Sequence, residues 1–521
     1  MEAANPPRYS TLSLDTLPLS LDTLPLYPAP DDFDISSLDR PRPGERESRQ
    51  AFDFCIAKNT NSAGDSYPWA TLRLFSRVPA ALQRPRYIGG ANIKGSVMLN
   101  LKRPRTVTSI AVLLRGRMVT SSLSEGSHTF LEVVHPIWSK ASVAGPTSSA
   151  TGKLQGFFEW PFSFPFPAEI RSTPSSASKR NSTIPQGTGE TGTYLTPQTV
   201  LERGVNANVT YEIVLKITTA GLLDTKHRAI ANVLYIPLIR PPSLGPLRAG
   251  AYVSEAPLLG PEQDPAGWQE IEQMKLRVSE SRNGGFDPIA IDIECTAYIA
   301  NPSTYTRGTV IPCYLICKNT HVARASGHSR LSNTLLAAFT KQQCVSLGLT
   351  QRVQYHEDSR QALSAKFGSD FKAGGSRDER ARSMNACEEA VWWTPRDVGG
   401  GTFNLEGEIH LDVGHLPSCE TPFLNVSYAV TVSIKASPDL DVSLVPQSSR
   451  IMAHGRRGSA ASVLPSSSTT EPLVEFPVRI ATAHAKQGPV PTPFTPPPPR
   501  KLKDGSRVQE VQYLRMTRMW R

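Results

Sequence analysis

The sequence predicts an all-β chain folded as two tandem β-sandwiches, with disordered tails and long loops. Three observations carry this expectation. In residues 208–217, Val209, Tyr211, Ile213, Leu215 and Ile217 fall on one side of an extended chain, with Thr210, Glu212 and Lys216 on the other and Val214 alone out of phase. A period of two marks a strand with one face on a core, whereas a helix would scatter these residues around its axis. A near twin follows about two hundred residues later, where Leu424, Val426, Tyr428, Val430, Val432 and Ile434 alternate with Asn425, Ser427, Ala429, Thr431, Ser433 and Lys435. Finally, 521 residues exceed one sandwich and suit two domains of about 150–200 residues plus tails. The expected boundaries are a disordered tail 1–50, a first domain 51–245, a linker 246–285, a second domain 286–482 and a basic, Pro-containing tail 483–521.

Strands begin near Ala51. Phe52, Phe54 and Ile56 alternate, then Leu72 and Leu74. Residues 86–90 read as a turn, after which Ile93, Val97, Leu99 and Leu101 share one face. Residues 106–119 form another strand, with Ile110, Val112 and Leu114 on one side. Residues 156–166 are aromatic and punctuated by Pro161 and Pro165, which exclude a central strand and indicate an edge. Residues 171–193 are Ser/Thr/Gly-rich and expected as a mobile loop. The 229–239 run closes the domain ahead of Pro241 and Pro242.

The 246–285 linker is expected to carry a polar helical stretch near 267–281. Strands resume at Ile289, Ile291 and Ile293, then at 309–318 and 344–355. Residues 358–384 are charged and Gly-rich, hence a loop insertion. Phe403, Leu405, Ile409, Leu411 and Val413 alternate with Asn404, Glu406, Glu408, His410 and Asp412. After the twin strand comes a Ser/Pro-rich stretch, 437–470, and a last strand near 476–481.

Hydrophobic residues make up 39% of the chain, below the usual globular share, because Pro (45 residues) and Ser-rich tracts interrupt the folded units. Net charge is +10, and residues 500–521 hold seven Lys/Arg against two acids. Such a tail is either a solvated basic end or a weak ligand for anionic lipid or nucleic acid. The seven Cys are odd in number and irregular in spacing; Cys313 and Cys317 lie on one face of an apolar strand, as small core residues. No second Cys/His pair has zinc-ligand spacing, so no metal or other cofactor is expected. The start lacks a signal peptide's basic and apolar regions, and no run nears the ~20 apolar residues of a membrane span. The expected setting is reduced and cytosolic, which makes the sequons at Asn181, Asn208 and Asn425 coincidences.

The sharpest short motif is Pro6-Pro7-Arg8-Tyr9, a Pro-Pro-x-Tyr sequence. WW domains read such segments in the polyproline II form, with an aromatic groove for the prolines and a pocket for the Tyr. Its chance expectation here is about 0.1 from 45 Pro and 14 Tyr. A tandem repeat, Ser-Leu-Asp-Thr-Leu-Pro-Leu at 13–19 and 20–26, ends in Leu24-Pro25-Leu26-Tyr27. That sequence is either a weaker WW ligand or repeat drift. Arg456-Arg457-Gly458-Ser459 and Lys179-Arg180-Asn181-Ser182 look like basophilic kinase sites at Ser459 and Ser182, where phosphate would reverse the local charge. Trp392 and Trp393 are expected in core and edge packing, and His410 and His415 on the solvated surface. Gly399–Gly401 precede a strand and no helix, so they form a turn, not a phosphate cradle. No Gly-x-Ser-x-Gly, His-Glu-x-x-His or P-loop appears, and no catalytic residue is assigned.

Several of these segments, in this order, resemble the arrestin superfamily. Tyr87-Ile88-Gly89-Gly90-x-x-Ile93-x-Gly95-x-Val97, followed by Ile110-x-Val112-x-Leu114-x-Gly116, is similar to the opening of arrestin N-domains. Phe162-Ser163-Phe164-Pro165, Val209-x-Tyr211-x-Ile213 and Tyr235-x-Pro237 continue the likeness. Tyr305-x-x-Gly308-x-x-Ile311-Pro312 and Val426-Ser427-Tyr428 resemble an arrestin C-domain. The likeness covers roughly 51–245 and 286–482, and within the superfamily it is nearest an α-arrestin, or arrestin-domain-containing protein, of the fungal type. It implies immunoglobulin-like sandwiches and a non-enzymatic adaptor in protein transport and endocytosis, cytoplasmic and peripheral at plasma membrane and endosomes. Implied partners are a WW-domain HECT ubiquitin ligase, met through Pro6, Pro7 and Tyr9 and more weakly Leu24, Pro25 and Tyr27, and the tails of membrane transporters or receptors. Anionic lipid is a further expected partner; nucleic acid is not. The family's motifs sit more often in the C-terminal tail, where residues 496–499 here lack a Tyr at the right spacing. The alternative function is a retromer-type sorting scaffold that needs no WW contact.

Overall fold

A computed structural model describes residues 50–56, 68–77, 84–120, 127–140, 153–171, 192–201, 207–220, 225–281, 290–320, 329–356, 380–445 and 473–495. The first half contributes β1 (Gln50–Ile56), β2 (Ala70–Ser76), β3 (Arg86–Ile88), β4 (Asn92–Arg105), β5 (Val107–Val119), β6 (Ser127–Ser139), β7 (Leu154–Pro165), β8 (Glu169–Arg171), β9 (Thr193–Leu195), β10 (Asn208–Thr219) and β11 (Thr225–Ile236). Helix α1 (Pro246–Val253) follows, then β12 (Trp268–Glu280), β13 (Ala290–Ala300), β14 (Thr304–Thr306), β15 (Val310–Asn319), helix α2 (Ser329–Lys341), β16 (Val345–His356), β17 (Arg380–Glu389), β18 (Val391–Trp392), β19 (Arg396–Gly399), β20 (Thr402–His410), β21 (Cys419–Glu420), β22 (Leu424–Ile434), β23 (Leu440–Leu444) and β24 (Val474–Ala481). The all-β class is as expected: these strands form β-sandwiches, with only α1 and α2 as α-helices among the described residues.

The two halves repeat one topology. Sheet β3-β11-β10-β5-β6 matches sheet β14-β24-β22-β16-β17 position for position, and in each the first strand runs parallel to the second. The opposing sheets, β1-β2-β4-β7 and β23-β12-β13-β15-β20-β18, correspond likewise apart from the added outer strands. The twin strands are therefore equivalent, β10 and β22, each third in its five-strand order and flanked by antiparallel neighbours. Each sends one Tyr inward. Tyr211 donates its hydroxyl to the Pro197 carbonyl at 2.6 Å, and Tyr428 donates to Leu416 at 2.6 Å.

The inward faces are those the alternation marks. Val209, Tyr211, Ile213, Leu215 and Ile217 are buried with Ile110, Val112 and Leu114 and with Leu72, Leu74, Ile93, Val97 and Leu99. Tyr211 stands opposite Gly116 on β5, and a Cβ at Gly116 would lie 2.8–2.9 Å from the Phe130 and Tyr211 rings. That position is a glycine because no side chain fits beneath the tyrosine. Edge strand β7 carries Pro161 and Pro165, and edge strand β6 carries Pro136 beside a bulge, devices that blunt an exposed ladder.

Several expectations need correction. Residues 86–90 are not a turn alone: Arg86–Ile88 pair with β11 before Gly89 turns the chain at φ 53°. The stretch expected as a polar helix in a linker is β12, paired with β13 and β23. A bulge between Glu270 and Glu272 shifts the ladder by one residue, so Met274, Leu276 and Val278 face the main core while Trp268, an even number of residues earlier, packs with Tyr314 and Ile316 instead. Arg380–Glu389, partly inside the expected 358–384 insertion, is strand β17, and Leu440–Leu444 in the Ser/Pro-rich stretch is β23. Strand β6 and helix α2 were not anticipated; Leu335, Leu336 and Phe339 of α2 pack into the core with the helical spacing their sequence carries. The tail expected from 483 begins as a docked segment as far as Thr495.

Candidate functional site

The face between the two sandwiches is built from their equivalent ends. Ile239, past β11, donates to the Thr482 hydroxyl at 2.9 Å, and Thr482 and Ala483 donate back to the Ile239 carbonyl. The Thr482 hydroxyl donates to Pro237 at 2.6 Å. Arg240 reaches the His484 carbonyl at 2.8 Å, and the Thr306 hydroxyl donates to Ala483 at 3.0 Å. Arg307 bridges both halves, donating to Gln198 at 3.1 Å and to the His415 carbonyl at 3.2 Å. On the other side Phe130 of β6 stacks on Phe423 with ring centres 4.7 Å apart. Phe130 also meets Tyr211 edge-on, so this contact continues the first core across the junction.

Two hollows lie along this face. One is an open cleft of about 350 Å³ whose walls include Tyr194, Pro197, Ile239, Ser418, Glu420 and Arg479. Cys419 on the same wall has its thiol pushed up to about 12, by burial first and then by Glu420. It is a neutral thiol near pH 7 rather than a nucleophile. The other is a small, partly open hollow of about 40 Å³ beside Arg248, Tyr252, Tyr305 and Pro491, room for a few waters. Arg248 is 3% exposed, donates to the Asn301 carbonyl at 2.9 Å and lies over the Trp268 ring at 4.8 Å. Burial lowers its pKa, opposed by Tyr252, Asp264 and Tyr305. Among the described residues no three His, Cys, Asp or Glu side chains converge as metal ligands, and no helix is long and apolar enough to cross a membrane.

The residues expected to bind partners fall elsewhere. Pro6, Pro7, Tyr9, Leu24, Pro25 and Tyr27 lie outside the described residues, as do Ser182, Ser459 and the basic stretch 500–521. His410 and His415 are not on the solvated surface, and that expectation is corrected. His410 bonds Thr495 at 3.0 Å and lies 3.2 Å from Glu408, while His415 sits edge-on to the Tyr428 ring. Burial lowers the His415 pKa, with Asp412 opposing and Arg307 adding to the fall. Trp392 is buried against Gly407, as expected, and Trp393 meets Phe494 edge-on at 5.6 Å. Gly399, Gly400 and Gly401 all have positive φ and turn β19 into β20.

Sequence reasoning missed two features of the surface. Val214, the residue out of phase, belongs to a cross-strand apolar row with Ile230, Leu113 and Val134, of which Ile230 and Val134 are exposed. Glu408 was placed on the polar face of its strand, yet it is fully buried. Its outer face is covered by chain from more than eighty residues away, which no local period reveals.

No curated protein matches the sequence. Residues 80–236 match the family model of the arrestin (or S-antigen) N-terminal domain. The match begins after β2 and ends with β11, so it takes in the Tyr211 strand and both of its neighbours. With the repeated two-sheet topology behind it, the segment 80–236 is an arrestin-type N-terminal domain, and its match supports placing the chain in the arrestin superfamily.

Proposed function

We propose that this protein is an adaptor that binds membrane cargo, transporters or receptors, and brings to it a WW-domain HECT ubiquitin ligase for ubiquitination and endocytic sorting. The observation that carries the adaptor reading is the arrestin N-domain match over 80–236. Arrestin-type domains act by binding rather than by catalysis, and the junction offers clefts and sheet edges rather than a nucleophile paired with a base. The ligase reading rests on Pro6, Pro7 and Tyr9. A short proline-led segment loses little entropy on adopting polyproline II, and one such contact supports micromolar affinity, about 8 kcal/mol at best. Leu24, Pro25 and Tyr27 follow 15–18 residues on, a separation a flexible linker spans at roughly 20–25 Å. Two WW domains in tandem can then be engaged together, raising avidity without new contacts.

Titration of a tandem WW protein into the full chain tests this. Tyr9→Ala should remove most of the binding, and Tyr27→Ala only the avidity increment. Unchanged affinity in Tyr9→Ala would remove the ligase role and leave the retromer-type sorting scaffold as the reading of the same fold.

A further inference from the structure

Past β24 the chain does not leave the body. Residues 482–484 tie the two sandwiches together, Pro489 and Pro491 border the hollow beside Arg248, and Phe494 packs beneath Tyr252 and Trp393 with 6% of its surface exposed. The segment ends on Glu408. That carboxylate has no solvent exposure and takes its donors from the strap: the Phe494 amide at 3.1 Å, the Thr495 amide at 2.8 Å and the Thr495 hydroxyl at 2.5 Å. His410 closes the set, 3.2 Å from Glu408 and 3.0 Å from the Thr495 hydroxyl. A buried carboxylate is tolerated only while such donors surround it, so the strap and Glu408 depend on each other.

Thr495 is followed by Pro496, the minimal recognition feature of a proline-directed kinase; Thr492, three residues earlier, is exposed and also followed by proline. We propose that Thr495 is a phosphorylation site whose modification releases the 485–495 strap from Glu408. The kinase transfers the γ-phosphoryl group of ATP: the bond from that phosphorus to ADP breaks, the bond to Thr495 Oγ1 forms, and the hydroxyl proton leaves. The donor that Glu408 had at 2.5 Å becomes a group of charge about −1.5 to −2, set against a carboxylate that has no water to screen it. His410 supplies at most one positive charge between two anions. Chain 485–495 then leaves, uncovering Trp393 and Tyr252.

The test uses the full chain with Thr492→Ala, treated with ATP and a proline-directed kinase, and reads amide hydrogen exchange. The Phe494 and Thr495 amides should be protected before treatment and lose protection by at least about 100-fold in the Thr495-phosphorylated protein, while β10 amides stay unchanged. In Glu408→Gln, which keeps an acceptor but not the charge, the same phosphorylation should cost at least about tenfold less protection; β10 protection reports that this variant is folded. Thr495→Glu in an untreated protein should mimic the release. The proposal is overturned if wild-type chain is modified to completion at Thr492 with none at Thr495. It is equally overturned if phosphorylated Thr495 keeps its amide protected, or if Glu408→Gln responds as fully as wild type.

Discussion

The twin tyrosines occupy equivalent places in two copies of one topology, yet removing their hydroxyls should cost different amounts. Tyr211 is 1% exposed and makes one bond with its hydroxyl, donated to Pro197 at 2.6 Å. Tyr211→Phe leaves the ring and its edge-on contact with Phe166 and tilted contact with Tyr235 in place and strands one carbonyl, a loss of about 1–3 kcal/mol. Tyr428 donates to Leu416 at 2.6 Å and also accepts from the Gln351 side-chain amide at 2.8 Å. Gln351 is itself buried, on β16 directly across from Tyr428. Tyr428→Phe therefore strands two polar groups, and at about 1–3 kcal/mol each the loss is roughly 2–6 kcal/mol. Adding Gln351→Leu removes the stranded amide with its partner, so the double variant should recover about 1–3 kcal/mol relative to Tyr428→Phe alone. Urea unfolding of the three variants, followed by tryptophan fluorescence and far-UV circular dichroism, gives the order. Equal losses in Tyr211→Phe and Tyr428→Phe, or no recovery in the double variant, would refute the reasoning that stranded groups set the cost.

Other expectations are simpler. Ile213→Ala, at a fully buried site on β10, should destabilise by about 2–5 kcal/mol in the same assay, and no change would mean the strand does not face the core. His415 has its pKa lowered by burial, so below the unfolded value near 6.5 the unfolded chain takes up a proton that the folded one resists. Stability should then fall from pH 7 to pH 5 more steeply in wild type than in His415→Gln; parallel curves would count against this. The seven Lys/Arg of 500–521, each contributing about 1 kcal/mol at best near an anionic surface, should add vesicle affinity that fades with salt. Equal binding by full-length and tail-deleted protein at low salt would argue against it.

The sequence by itself determined the fold class, because a period of two is a local property of a strand with one wet face. The 209–217 and 424–434 alternations name their own buried residues, and the order of motifs from Tyr87 to Tyr235 anticipates the arrestin-type N-domain. Helix α2 was not anticipated, although Leu335 and Phe339 lie one turn apart on the face that enters the core. What only the tertiary structure decided are features whose cause lies far along the chain. Strand β12 reads as a polar helix because Glu, Gln, Lys and Met favour helices and its bulge hides the alternation; pairing with β13 and β23 overrides that preference. Glu408 reads as a solvent-facing residue because its neighbours alternate correctly, and its burial comes from Phe494 and Thr495, 86 and 87 residues away. A local period reports which side of a strand a residue takes, and only the folded chain determines whether that side meets water.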